Sequence, residues 1–71
     1  DGIRIEMRPR EDGHNLPHIH VRHGGDDAAI LFDGRILKGE ITNRKAYQFI
    51  KQWILKNRER LEKDWRDMHH V

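Results

Sequence analysis

The apolar residues of this chain change their period once, near residue 42, and that change constrains the fold more than any other feature. Before it, apolar and polar residues alternate, as in a strand with one buried face. After it, apolar residues recur every three or four positions, as in a helix with one apolar stripe. In GIRIEMR, Ile3, Ile5 and Met7 share one face, and Arg4, Glu6 and Arg8 share the other. HIHVRH repeats the pattern, with Ile19 and Val21 inward and His18, His20 and Arg22 outward. Pro9 and Glu11-Asp12-Gly13 separate these two strands, and Gly24-Gly25 turns the chain into a third, DAAILF. Asp33-Gly34 has the chemistry of a two-residue hairpin turn, and RILKGEI follows as the fourth strand.

Beyond the switch, Thr42 or Asn43 can cap a helix, because either side chain accepts a bond from the free first-turn amides. Ala46, Phe49, Ile50, Trp53 and Ile54 then form one stripe. Asn57 interrupts it, and Leu61, Trp65 and Met68 resume on a shifted bearing. This predicts a second short helix or a bend at Asn57, with one long helix as the competing arrangement. The expected architecture is α+β and a single domain over 1–71. A three- to four-stranded antiparallel meander occupies about 3–41, and one or two helices over about 43–67 cover its apolar face.

Size restricts the roles of the large side chains. A chain of 71 residues buries only about 60% of the surface it exposes when unfolded, so Trp53 and Trp65 are assigned to packing rather than to base stacking. There is no cysteine, which excludes a disulfide framework, a thiolate metal site and a cysteine nucleophile. No apolar run approaches the roughly 18 residues that span a bilayer, and no signal-peptide pattern opens the chain. The expected location is the cytoplasm. The first residue is Asp1 rather than Met, so a few residues are expected to precede it.

Charge is unevenly distributed. Residues 1–42 carry six Lys/Arg against eight Asp/Glu, and residues 43–71 carry eight against four. A solvated helix face explains the basic half, and an anionic partner would also suit it.

Chemistry-bearing residues concentrate in NLPHIHVRHGG. Residues two apart on a strand point the same way, so His18 and His20 share a face while His23 takes the opposite one. If the first two strands pair, Arg4, Glu6 and Arg8 join that face with Arg22. Three functions compete with the simple alternative of an exposed polar face. A divalent metal could be held by His18 and His20 with Glu6, or with His14 from the preceding loop, although the arginines would repel it. A phosphodiester suits the arginines better: Arg4, Arg8 and Arg22 would contact the anion while His18 and His20 act as base and acid in metal-independent RNA cleavage. The face could also bind a protein, with Tyr47 or Leu55 as further contacts. The histidine-triad nucleotide hydrolases are excluded, because Arg22 stands where their third histidine is required.

Pro17-His18-Ile19-His20-Val21, the hairpin ending in Gly39-Glu40, then Trp53, Asn57-Arg58-Glu59-Arg60-Leu61 and Trp65 together resemble the small bacterial family catalogued as domain of unknown function 4160. The match runs over nearly the whole chain. The resemblance implies a compact α+β domain, often encoded beside a second small gene in a toxin–antitoxin-like pair, and no established reaction. The family's signature residues fall on Pro17, His18 and His20. Leu16 stands where a second proline is common, which loosens the turn aiming the histidines, and Asn57 stands where a histidine is common.

The function expected is therefore that of a component of a toxin–antitoxin-like module that binds a cognate small protein or a nucleic acid. A ribonuclease using His18 and His20 is one alternative, and a metal-binding domain using His18, His20 and Glu6 is another. No cofactor and no membrane partner are expected, and the exposed edge strands suit a homodimer.

Overall fold

The computed structural model describes residues 2–8 and 16–69. The turn expected at Pro9 and Glu11-Asp12-Gly13, together with His14, lies outside the described residues. The element order is β1 (Ile3–Glu6), β2 (His18–His23), β3 (Asp26–Leu31), β4 (Ile36–Glu40), α1 (Arg44–Lys56) and α2 (Arg58–His69). The strands form one antiparallel meander in the order β1-β2-β3-β4. Four strands and two helices thus realise the α+β pattern expected from the period switch.

Two of the turns form for different reasons. Gly24 adopts φ +60°, a conformation that strongly favours glycine, and the pair Gly24-Gly25 closes a two-residue hairpin between His23 and Asp26. The β3–β4 connection is longer than the two residues expected. The amide of Leu31 donates to the Arg35 carbonyl, and that of Gly34 donates to the Leu31 carbonyl, so Phe32, Asp33 and Gly34 all lie in the loop. Tyr47 on α1 donates its hydroxyl to the Gly34 carbonyl at 2.8 Å and ties this loop to the helix layer.

One sheet face packs on the helices. Ile19, Val21, Ala28 and Ile30 meet Ala46, Ile50, Ile54 and Leu61, all buried, with Phe32 and Ile41 closing the ends. Ile3, Ile5, Met7, Trp53 and Trp65 pack around them half-buried, as packing residues should. Phe49 and Met68 are exceptions to the predicted stripe, at 56% and 40% exposed. The buried positions of α1 are 46, 50 and 54, spaced by four, and that narrower seam turns position 49 away from the sheet.

Helix boundaries follow from two asparagines. The Asn43 side chain accepts from the Ala46 amide at 2.9 Å and caps α1. Thr42 is occupied elsewhere, since both its amide and its hydroxyl donate to the Asp26 carboxylate. Asn57 ends α1 and starts α2. Its amide donates to the carbonyls of Trp53 and Ile54, its side-chain nitrogen donates to Trp53 at 2.8 Å, and its own carbonyl accepts from Leu61. Asn57 departs from helical geometry at φ −110° and ψ 15°, so α1 and α2 are two helices and not one long one.

Candidate functional site

The second sheet face carries the polar residues, and strand register sets which of them meet. Glu6 stands opposite His20, His20 opposite Ala29, and Ala29 opposite Lys38, giving a row across all four strands. The next row runs Arg4, Arg22, Asp27, Glu40. In the first row, Ala29 is a small residue between longer side chains. It is 6% exposed although it lies outside the apolar core cluster, so its neighbours rise around it and it forms the floor of a recess. Arg8, His18, His20, Asp27, Lys38 and Gly39 complete a hollow of about 300 Å³ above that floor. A smaller hollow of about 130 Å³ adjoins it between Arg4, Glu6, Arg8, His20, Arg22 and Asp27. Arg8, His20 and Asp27 line both.

Among the expected site residues, the structure brings Arg4, Glu6, Arg8, His20 and Arg22 together around the smaller hollow. His18 departs from the expectation of an outward side chain: it is 1% exposed. Its ring lies 5.1 Å from that of His20 and 5.2 Å from that of Trp65, which reaches it from α2. Its Nδ1 is 2.7 Å from the Leu16 carbonyl oxygen. A carbonyl only accepts, so Nδ1 carries the proton and the ring is fixed in one tautomer and one orientation. Strand alternation gave the correct side of the sheet, but an aromatic residue 47 positions away covers the ring at the end of the strand. His20 is half-buried beside it, and His23 faces the other way next to Ile3.

The charges on this face are partly neutralised. Arg8 donates from Nε and Nη2 to one Glu6 carboxylate oxygen at 3.4 Å, and Arg22 Nε lies 3.7 Å from Asp27. Both pairs are about half exposed, so each contributes on the order of 0–1 kcal/mol and yields readily to a stronger anion. Arg4 and Arg22 are direct cross-strand neighbours, and such like-charge pairs are unfavourable. Among the described residues, no group of three or more His, Asp or Glu side chains is arranged to hold a metal ion.

Asp27, Ala29 and Lys38 were not anticipated as members of the site. The first two were within reach of the sequence: a two-residue turn at Gly24-Gly25 pairs Arg22 with Asp27 and His20 with Ala29 by counting. Lys38 was within reach as well: a two-residue turn at Asp33-Gly34 pairs Ala29 with Lys38 by counting. The observed loop is one residue longer, and a bulge, the register shift between Ala29 and Ile30, offsets it and restores that pairing. Gly39 supports it at φ +83°, where a Cβ would collide with the Asp27 carbonyl.

No described helix is long and apolar enough to cross a membrane. No curated protein and no solved structure matches the chain. Its residues 2–66 match the family model described as Domain of unknown function (DUF4160), and the chain belongs to that family.

Proposed function

We propose that the polar sheet face is the working surface of a small binding protein, one member of a toxin–antitoxin-like pair, and that it grips an acidic segment of its cognate partner. The observation that carries this reading is the recess floored by Ala29, where His20, Arg8 and Lys38 converge. A recess on the open side of a sheet, with cationic walls and exchangeable ion pairs, suits a carboxylate or phosphate group better than an apolar ligand. Buried His18 then serves as a support: locked by Leu16 and Trp65, it backs the His20 ring.

Two alternatives draw less support. An acid–base pair for RNA cleavage needs both imidazoles within reach of substrate, and His18, although it borders the recess, is only 1% exposed. A metal site built on His20 and Glu6 would have to displace Arg8 from Glu6 and accept Arg22 nearby.

The test is co-purification of the tagged chain with the product of the adjacent gene, followed by titration at increasing salt. Wild type should bind, with affinity falling steeply as salt rises, and the pair Arg22→Glu with Lys38→Glu should weaken binding at least about tenfold. Binding that ignores both salt and the charge reversals would sink the reading. Binding to an RNA oligonucleotide but to no protein would move the partner to the nucleic-acid class.

A further inference from the structure

Two hollows with apolar walls lie along β1, and two exposed apolar side chains, Phe49 and Met68, border them. One groove of about 470 Å³ opens beside Ile5 and Met7 and is walled by Ile19, Trp53, Leu61 and Met68, with Glu6, Asp64 and Asp67 at its rim. A second hollow, of about 260 Å³, lies beside Ile3 and is bordered by Ala46, Phe49, His23 and Lys45. Among the described residues, β1 has a hydrogen-bonded neighbour on one side only, β2. Its other edge has no strand partner among the described residues and lies between these two apolar hollows, a combination that recruits another strand.

We propose that the occupant is a second copy of this chain, and that two β1 strands pair antiparallel about a twofold axis at Ile5. The sequence of the strand is self-complementary in that register. Ile5 meets Ile5 of the second copy, Ile3 meets its Met7, and all of these lie on the helix-covered face. On the polar face, Arg4 meets Glu6 of the second copy, and Glu6 meets its Arg4. Opposite charges directly across an antiparallel pair are stabilising, and here the twofold supplies the pair twice. Each Arg4 thereby gains a carboxylate that offsets its unfavourable position beside Arg22.

The hollows match as well. Antiparallel pairing brings the Ile3 end of one copy against the Met7 end of the other. Phe49, which borders the hollow at Ile3 and is left exposed on α1, arrives at the mouth of the groove between Met7, Trp53 and Met68. Lys45 travels with it toward the acidic rim at Asp64 and Asp67. The product is one eight-stranded sheet with the helices of both copies on the same side. The two recesses floored by Ala29 then open on the same polar face. This dimer stands on the β1 edge alone and does not depend on what the recess binds.

The experiment is sedimentation of the full chain across a range of concentrations, with circular dichroism to confirm that each variant folds. Wild type should associate to a dimer. Arg4→Glu places glutamate opposite Glu6, and Glu6→Arg places arginine opposite Arg4, so each alone should weaken the dimer at least about tenfold. The double variant Arg4→Glu/Glu6→Arg restores opposite charges in the same register and should recover it. Phe49→Asp, at an exposed position, should weaken association without unfolding the monomer. A wild-type chain that stays monomeric at millimolar concentration overturns the proposal and leaves the edge to a different protein. A dimer that tolerates both single reversals, or that the double variant fails to restore, also overturns it.

Discussion

The two faces of the sheet are made from the same strands and are held in different ways. On the covered face, Ile19, Val21, Ala28 and Ile30 are fixed by contact with Ala46, Ile50, Ile54 and Leu61, and each is almost wholly withdrawn from water. On the open face, Arg22 and Lys38 are placed by register, and Arg8 and Arg22 lie in exposed ion pairs. The covered face therefore determines whether the chain folds, and the open face is free to serve a partner. That division of labour is expected in a chain this short, since so small a core has no apolar residue to spare.

The division breaks most visibly in the core. Ile50 is fully buried at the centre of the helix seam, so Ile50→Ala should cost about 2–5 kcal/mol, a large fraction of what so small a domain has. Arg22→Ala on the open face should stay within about 0.5 kcal/mol. Urea unfolding of the two variants checks this, and comparable losses would erase the distinction between the faces.

Gly39 sharpens the comparison, because it is exposed and lines the recess yet obeys backbone constraints. Its positive φ and the nearby Asp27 carbonyl leave no room for a Cβ, so Gly39→Ala should cost about 2–4 kcal/mol. The loss should appear as a lowered urea midpoint, together with a displaced Lys38. A near-neutral result would mean that the bulge relaxes freely and does not aim that lysine.

His18 stands between the two regimes. It belongs to the open face by alternation and to the interior by burial. His18→Ala removes the bond to Leu16 and the packing against Trp65, for an expected loss of about 1–3 kcal/mol, whereas His20→Ala should cost less than about 1 kcal/mol. Thermal unfolding of the two variants separates support from surface. Equal losses would mean that both imidazoles are structural.

The covered face was the more legible of the two in the sequence, and the reason is physical. A period of two or of nearly four is a local property, so Ile3, Ile5, Ile19 and Val21, like Ala46, Ile50 and Ile54, could be assigned to the interior from spacing alone. The open face depends on which residues stand opposite one another, which turn lengths set and spacing along a single strand does not. Asp27, Ala29 and Lys38 join the site through cross-strand register alone, so periodicity gives no sign of them. His18 was placed outward because its cover, Trp65, comes from the other end of the chain. Phe49 was placed inward because a five-residue stripe was wider than the seam the sheet offers.

The smallest expected effect lies at the junction between the two halves, where the period changes. Asp26, at the start of β3, accepts hydrogen bonds from the Thr42 hydroxyl and amide, and so ties the sheet to the entrance of α1. The hydroxyl bond most of all, then the amide bond, with His23 nearby adding to them, hold its carboxyl below the usual value of 3.8. A carboxyl held below its unfolded value stabilises the fold at pH above that value. The contribution is lost as pH falls through the folded-state value. Asp26→Asn should therefore lower stability by a constant amount from neutral pH down to about 5, and the gap from wild type should close progressively as pH falls below 3.8. Urea midpoints across that range measure the gap. A gap that stays open at pH 2 would show that the carboxylate charge is not what joins the strands to the helix, and that the link rests on the shape of the side chain alone.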